Sequence, residues 1–141
     1  MPGTPKSLTL TAKPESLGAL TEFVRMGARE ANLPELQICQ LDLLIEEIFV
    51  NIYRYSYSEQ APGSVTVSYT IPKAGELSVE VVDQGIEFDP LAAPAPDLTL
   101  DLEHRPIVGL GILLLKTLAG SLSYRREQGW NHLRFGISEN S

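Results

Sequence analysis

Residues 41–54 read LDLLIEEIFVNIYR. Leu41, Leu44, Ile45, Ile48 and Ile52 recur with the 3.6-residue period of one helix face. This predicts an amphipathic helix that opens at Pro34 and runs to about Tyr57. Its polar residues are not evenly spread. At about 100° per residue, Glu47 and Asn51 lie about 40° apart and Arg54 falls near both. All three flank the apolar stripe on one side, whereas Asp42 and Glu46 flank it on the other. An isolated Glu-x-x-x-Asn pair usually does no more than solvate a helix face. Asparagine is a poor mid-helix residue, however, and this one stands among Phe49, Val50, Ile52 and Tyr53. That setting marks the cluster as a candidate site.

Outward from this helix the period changes. Upstream, residues 7–12 alternate like a short strand with Leu8 and Leu10 on one face. Pro14 and Glu15 then suit a helix start, and Leu17, Leu20, Val24, Ala28 and Ala31 mark one face before Asn32 ends it. Downstream, Val65, Val67, Tyr69 and Ile71 alternate, 72–75 supply a turn, and Leu77, Val79 and Val81 alternate again. That hairpin ends at Asp83. Residues 89–108 hold four prolines and little regular pattern, as expected of a functional lid or a disordered loop. Residues 109–119 read as a helix entered through glycines. Residues 121–125 and 133–137 close the chain as a hairpin around Gln128-Gly129. This order predicts an α/β two-layer sandwich in one domain, residues 1–141.

Composition narrows the function. A chain of 141 residues suits a single domain, and 43% apolar with 21% charged residues excludes a mostly disordered one. Eleven Lys and Arg against eighteen Asp and Glu leave a net charge of −7, without the basic footprint of a duplex-binding protein. No nucleic-acid partner is expected, and Arg125-Arg126 is too short a basic run to imply one. The single Cys39 excludes an intrachain disulfide framework; beside Leu36 and Ile38 it is expected to be a small apolar filler. His104 and His132 lack metal-ligand spacing, and Trp130 is expected to pack. The longest apolar run, 107–115, is far short of a membrane span and no leader pattern opens the chain. A soluble cytoplasmic domain is expected.

Two further segments carry chemistry. Asp83 closes a strand and is followed by Gln-Gly-Ile-Glu-Phe-Asp-Pro. A carboxylate there accepts a hydrogen bond from a ligand amine, and Gly85 permits close approach to the backbone; an ordinary Asp-x-Gly turn is the alternative. Gly109-Leu110-Gly111 precedes a helix, whose N-terminus favours an anion such as phosphate, although tight packing explains glycines equally well. It is neither a Gly-x-Gly-x-x-Gly after a strand nor a Walker loop with its lysine.

Taken in order, Glu47-x-x-x-Asn51, Asp83-x-Gly85-x-x-Phe88-Asp89-Pro90 and Gly109-x-Gly111 resemble the N, G1 and G2 boxes of the GHKL ATPase superfamily. The short single-domain form with Phe-Asp-Pro closing the G1 box is similar to the anti-sigma-factor serine/threonine kinases. The resemblance implies the GHKL fold, a mixed, mostly antiparallel sheet with helices on one face. It implies ATP and Mg²⁺ as cofactors, Glu47 as general base and Asn51 as metal ligand. Asp83 then reads the adenine amino group, Gly85 is the close-approach glycine, and Gly109, Leu110 and Gly111 form the phosphate end of a lid. Arg54 matches the base that approaches the phosphates in sensor histidine kinases. The activity implied is phosphorylation of a small antagonist protein, together with sequestration of a sigma factor, by a chain that forms a homodimer. Two other readings stand beside it: a histidine-kinase-like catalytic domain without its acceptor helices, and a nucleotide-gated binding module without catalysis.

Overall fold

A computed structural model describes residues 5–57, 61–87 and 120–138. Strand β1 (Lys6–Thr11) leads through a 3₁₀ turn at Pro14–Ser16 into α1 (Leu17–Glu30). Proline suits the first position of that turn because its missing N–H would have no helical partner. Asn32 stops the helix in the left-handed conformation, with φ of 61°. The Leu33 N–H then reaches back to the Ala28 carbonyl at 3.1 Å. Helix α2 (Glu35–Asn51) follows and continues without a break into a π-helical turn, Ile52–Ser56.

The predicted stripe of α2 is buried at Leu41, Leu44, Ile45 and Ile52, with Ile48 packed at the margin of the core. Phe49, one of the largest fully buried side chains, shares that face and meets Tyr53 edge-on. On the opposite flank Asp42 accepts from Arg25 of α1, at 2.6 Å from Nη2, which ties the two helices together.

Strands β2 (Ser64–Thr70), β3 (Glu76–Asp83), β4 (Ser121–Glu127) and β5 (Trp130–Ser138) complete a five-stranded sheet in the order β1-β2-β3-β5-β4. All four pairings are antiparallel. Gly75 (φ 84°) turns β2 into β3, while Gln128 (φ 51°) and Gly129 (φ 88°) make the two-residue turn between β4 and β5. The inward residues Val65, Val67, Tyr69, Leu77, Val79, Val81, Leu133, Phe135 and Ile137 join both helices in one core. The other face is polar, with Thr9 bonded to Thr66 and Arg134 to Glu80. This is the expected two-layer α/β sandwich with its helices on one face.

Two packing expectations fail. Cys39 is exposed on α2, one turn along from Leu36, rather than filling the core. Trp130 is 39% exposed, because the hairpin turn beside it leaves its side chain outside the sheet's inner face. Among the described residues no helix is long and apolar enough to cross a membrane.

Candidate functional site

Glu47 and Asn51 lie on the last turn of α2. Asn51 is buried, 8% exposed, and its Oδ1 has no hydrogen-bond partner among the described residues. One carboxylate oxygen of Glu47, Oε2, is likewise buried and unpartnered. Leaving such atoms unmade costs about 1–3 kcal/mol each, so a pair of them four residues apart points to groups that enter from beyond the described residues. Burial pushes the Glu47 carboxyl above the usual carboxylate range; the neighbouring Glu46 charge adds to this and Arg54 opposes it. A carboxyl tuned upward in this way is better matched to accepting a proton near neutral pH. Arg54 itself is exposed, and among the described residues no ion pair joins it to Glu47. The structure brings the two close enough to interact electrostatically, but not into contact.

The regular helix expected through Tyr57 widens after Asn51. The Tyr57 N–H donates to the Ile52 carbonyl at 3.1 Å, a five-residue step. That turn buries Ile52 and Ser56 while Arg54 and Tyr55 stay exposed. It also builds the floor of the second half of the site. The Ile86 N–H donates to the Ser56 carbonyl at 3.1 Å. Tyr57 Oη accepts from the Gln84 N–H at 2.7 Å and donates to the Ser64 carbonyl at 2.9 Å. The end of the Glu47–Asn51 helix and the loop after Asp83 are therefore one joined unit.

Asp83 ends β3 and is 4% exposed. Its Oδ1 accepts from the Gly85 N–H at 2.9 Å and from Asn131 Nδ2 at 3.0 Å, whereas Oδ2 meets no donor among the described residues. Burial raises its pKa; the hydrogen bonds from Asn131 and Gly85, with Arg126 and His132, pull it back. The second oxygen of a carboxyl that is itself largely buried suits a neutral donor such as a ligand amine. Gly85 permits a close approach, but of the protein itself: a Cβ there would stand 2.4 Å from the Ser56 carbonyl oxygen and 2.5 Å from the Ser56 Cβ.

Gly109, Leu110, Gly111, the lid at 89–108 and Phe88-Asp89-Pro90 lie outside the described residues. Sequence reasoning missed Asn131, Tyr124, Arg126, Ser56 and Tyr57. Asn131 carried a legible signal. It shares the inward parity of Leu133, Phe135 and Ile137, and a polar residue at an inward strand position calls for a partner. The π turn carried no such signal.

With this geometry in place, the comparisons with known proteins converge. Residues 10–137 match the histidine kinase-like ATPase domain family. The chain belongs to that family. A serine/threonine-protein kinase, BtrW of Bordetella bronchiseptica, is 30% identical over 93 residues, covering 66% of this chain and 65% of that protein. A serine-protein kinase, RsbW of Bacillus cereus, is 27% identical over 109 residues, 74% of this chain and 64% of that protein. The chain thus spans about two-thirds of the length of these family members. A crystal structure of RsbU and RsbW domains from Mycobacterium tuberculosis superposes with a TM-score of 0.66 at 15% identity, covering 97% of this chain and 33% of that one. That likeness supports the family fold.

Proposed function

We propose that this chain binds ATP with Mg²⁺ and transfers the γ-phosphoryl group to a serine or threonine hydroxyl of a small antagonist protein. In this reading it is an anti-sigma regulatory factor that also holds a sigma factor, works in the cytoplasm and pairs as a homodimer. The observation that carries it is the pair of buried oxygens, Glu47 Oε2 and Asn51 Oδ1, that find no partner among the described residues, on the helix joined to the Asp83 loop. The kinase names of BtrW and RsbW support the same reading.

The residues fit the cofactors. Asn51 Oδ1 is a neutral, hard oxygen of the kind Mg²⁺ accepts when substrate phosphates supply the charge. In this reading Asn51 is the protein ligand and the nucleotide's phosphate oxygens supply the rest of the metal's shell. Bound there, Mg²⁺ would neutralise charge on the phosphates. Asp83 Oδ2 accepts from the adenine amino group. Glu47 takes the proton of the attacking hydroxyl, and its elevated pKa gives it the basicity for that task. Arg54 approaches the phosphates from the exposed side of the π turn, and Gly109, Leu110 and Gly111 meet them from the lid. Phosphoryl transfer asks mainly for positioning and charge neutralisation, which this set supplies.

The test is transfer of labelled γ-phosphate to a candidate antagonist by wild type and Glu47→Gln. The substitution keeps shape and reach but removes the basic carboxylate. Nucleotide affinity is expected to stay within about threefold while transfer slows on the order of a hundredfold. Glu46→Gln, on the other flank, removes only the smaller contribution that its charge makes to the Glu47 pKa and is expected to slow transfer far less than Glu47→Gln. Label on histidine would favour the histidine-kinase-like reading. Equal binding of ATP and partner without transfer by either protein would favour the binding module.

A further inference from the structure

Asn131 stands directly opposite Asp83 in the β3–β5 register and is buried, 4% exposed. Its amide is fully engaged. Oδ1 accepts from the Tyr124 hydroxyl and from Arg126 Nη1 at 3.1 Å; Nδ2 donates to Asp83 Oδ1 at 3.0 Å and to the Ile86 carbonyl at 2.9 Å. Two donors converge on Oδ1, so turning the amide round would set donor against donor. Nδ2 is therefore held toward Asp83. The Gly85 N–H reaches the same carboxylate oxygen, and Arg126 Nη1 also donates to the Gly85 carbonyl at 2.7 Å. Both protein donors thus meet Oδ1, and Oδ2 remains as the acceptor for a ligand.

We propose that Asn131, held by Tyr124 and Arg126, is the positioning residue that makes Asp83 select a 6-amino purine over a 6-oxo purine. The proposal rests on the reading of this site as one for ATP. An oriented, ionised carboxylate accepts from an exocyclic amine and faces a 6-oxo group acceptor to acceptor. A carboxyl that gains a proton can donate to the 6-oxo group, and one that rotates can accept from the ring N1–H of the 6-oxo purine, so discrimination falls. The groups facing Asp83 are Arg126 of β4, His132 of β5, and Tyr57, just after the π turn, whose hydroxyl is engaged with Gln84 and Ser64. Burial opposes the ionised form, while the donors from Asn131 and Gly85, with Arg126 and His132, favour it.

The test is calorimetric titration of the full chain with ATP and with inosine triphosphate between pH 6 and 8. Wild type is compared with Asn131→Leu, which keeps volume and removes the donor, with Asn131→Thr, which restores a hydroxyl donor, and with Tyr124→Phe. Wild type is expected to favour ATP by on the order of 100-fold, and Asn131→Leu to narrow that ratio by about tenfold or more, most at low pH. Asn131→Thr is expected to recover part of the ratio and Tyr124→Phe to fall between. If Asn131→Leu does not fold, the last two variants carry the same comparison. Variants that lose affinity for both nucleotides equally, with the ratio intact at every pH, would make Asn131 a packing residue and overturn the proposal alone. A wild type that binds the two nucleotides equally, or binds neither, would overturn the ATP site and this proposal with it.

Discussion

A single carboxylate, Asp83, carries a stability cost that the proposed adenine contact would explain. Asp83 is buried, its Oδ2 meets no donor among the described residues, and burial raises its pKa. An acid whose folded pKa is raised binds protons more readily folded than unfolded. Its ionisation therefore weakens the fold as pH rises through the elevated value, and the penalty vanishes below the ordinary carboxylate range. Asp83→Asn removes the charge while its carbonyl oxygen can still accept from Gly85 and Asn131. Without nucleotide, this variant is expected to melt at the wild-type temperature or up to about 4 °C higher at pH 8, with the difference gone near pH 3. Its ATP affinity is expected to fall about 30-fold or more, because an amide nitrogen turned toward the adenine amine sets donor against donor. Paired melting curves and ATP titrations check this. A variant that melts lower and still binds ATP would contradict both halves.

At the scale of elements, the π turn after α2 joins the Glu47–Asn51 half of the candidate site to the Asp83 half. Its Ser56 carbonyl holds the Ile86 N–H, and Gly85 lies so close to Ser56 that only a hydrogen fits. Gly85→Ala forces a Cβ against a main-chain oxygen that cannot rotate away, so the expected cost is about 1–3 kcal/mol in urea unfolding, with weaker ATP binding. The same change at Gly18, an exposed position of α1 where a Cβ meets nothing within 4 Å, is expected to stabilise by about 0.5–1 kcal/mol. Equal effects at the two glycines would mean that the Ser56 contact is not what constrains Gly85.

For the whole molecule the issue is how much stability one shared core supplies. Both helices and the inner sheet face bury their apolar residues in the same cluster, with Phe49 of α2 and Phe135 of β5 among its largest members. Phe49→Ala deletes a ring that is 1% exposed, two residues before Asn51. The expected loss is about 3–5 kcal/mol, a large part of the roughly 5–15 kcal/mol that holds a domain together. Because one core is shared, helix and sheet signals are expected to melt together at a lower temperature. Loss of helix signal with the sheet intact would show two separable units.

Much of this was legible from residue order alone. The 3.6-residue stripe of 41–52, the period-2 runs of 65–71 and 77–81 and the Gln128-Gly129 turn each follow from local spacing. They correspond to α2, β2, β3 and the β4–β5 hairpin. Glu47, Asn51 and Asp83 were recognisable because polar residues stand where the apolar pattern makes them costly. Tertiary structure alone decided what surrounds them. That Asn131 lies opposite Asp83 depends on strand register across 48 residues of chain. That Gly85 accommodates Ser56, not only a ligand, depends on a π turn with no local signature. That Cys39 is exposed depends on which helix face the sheet covers. Period and propensity act between neighbours in sequence, whereas hydrogen-bond partners and exposure are set by segments that meet only once the core has closed.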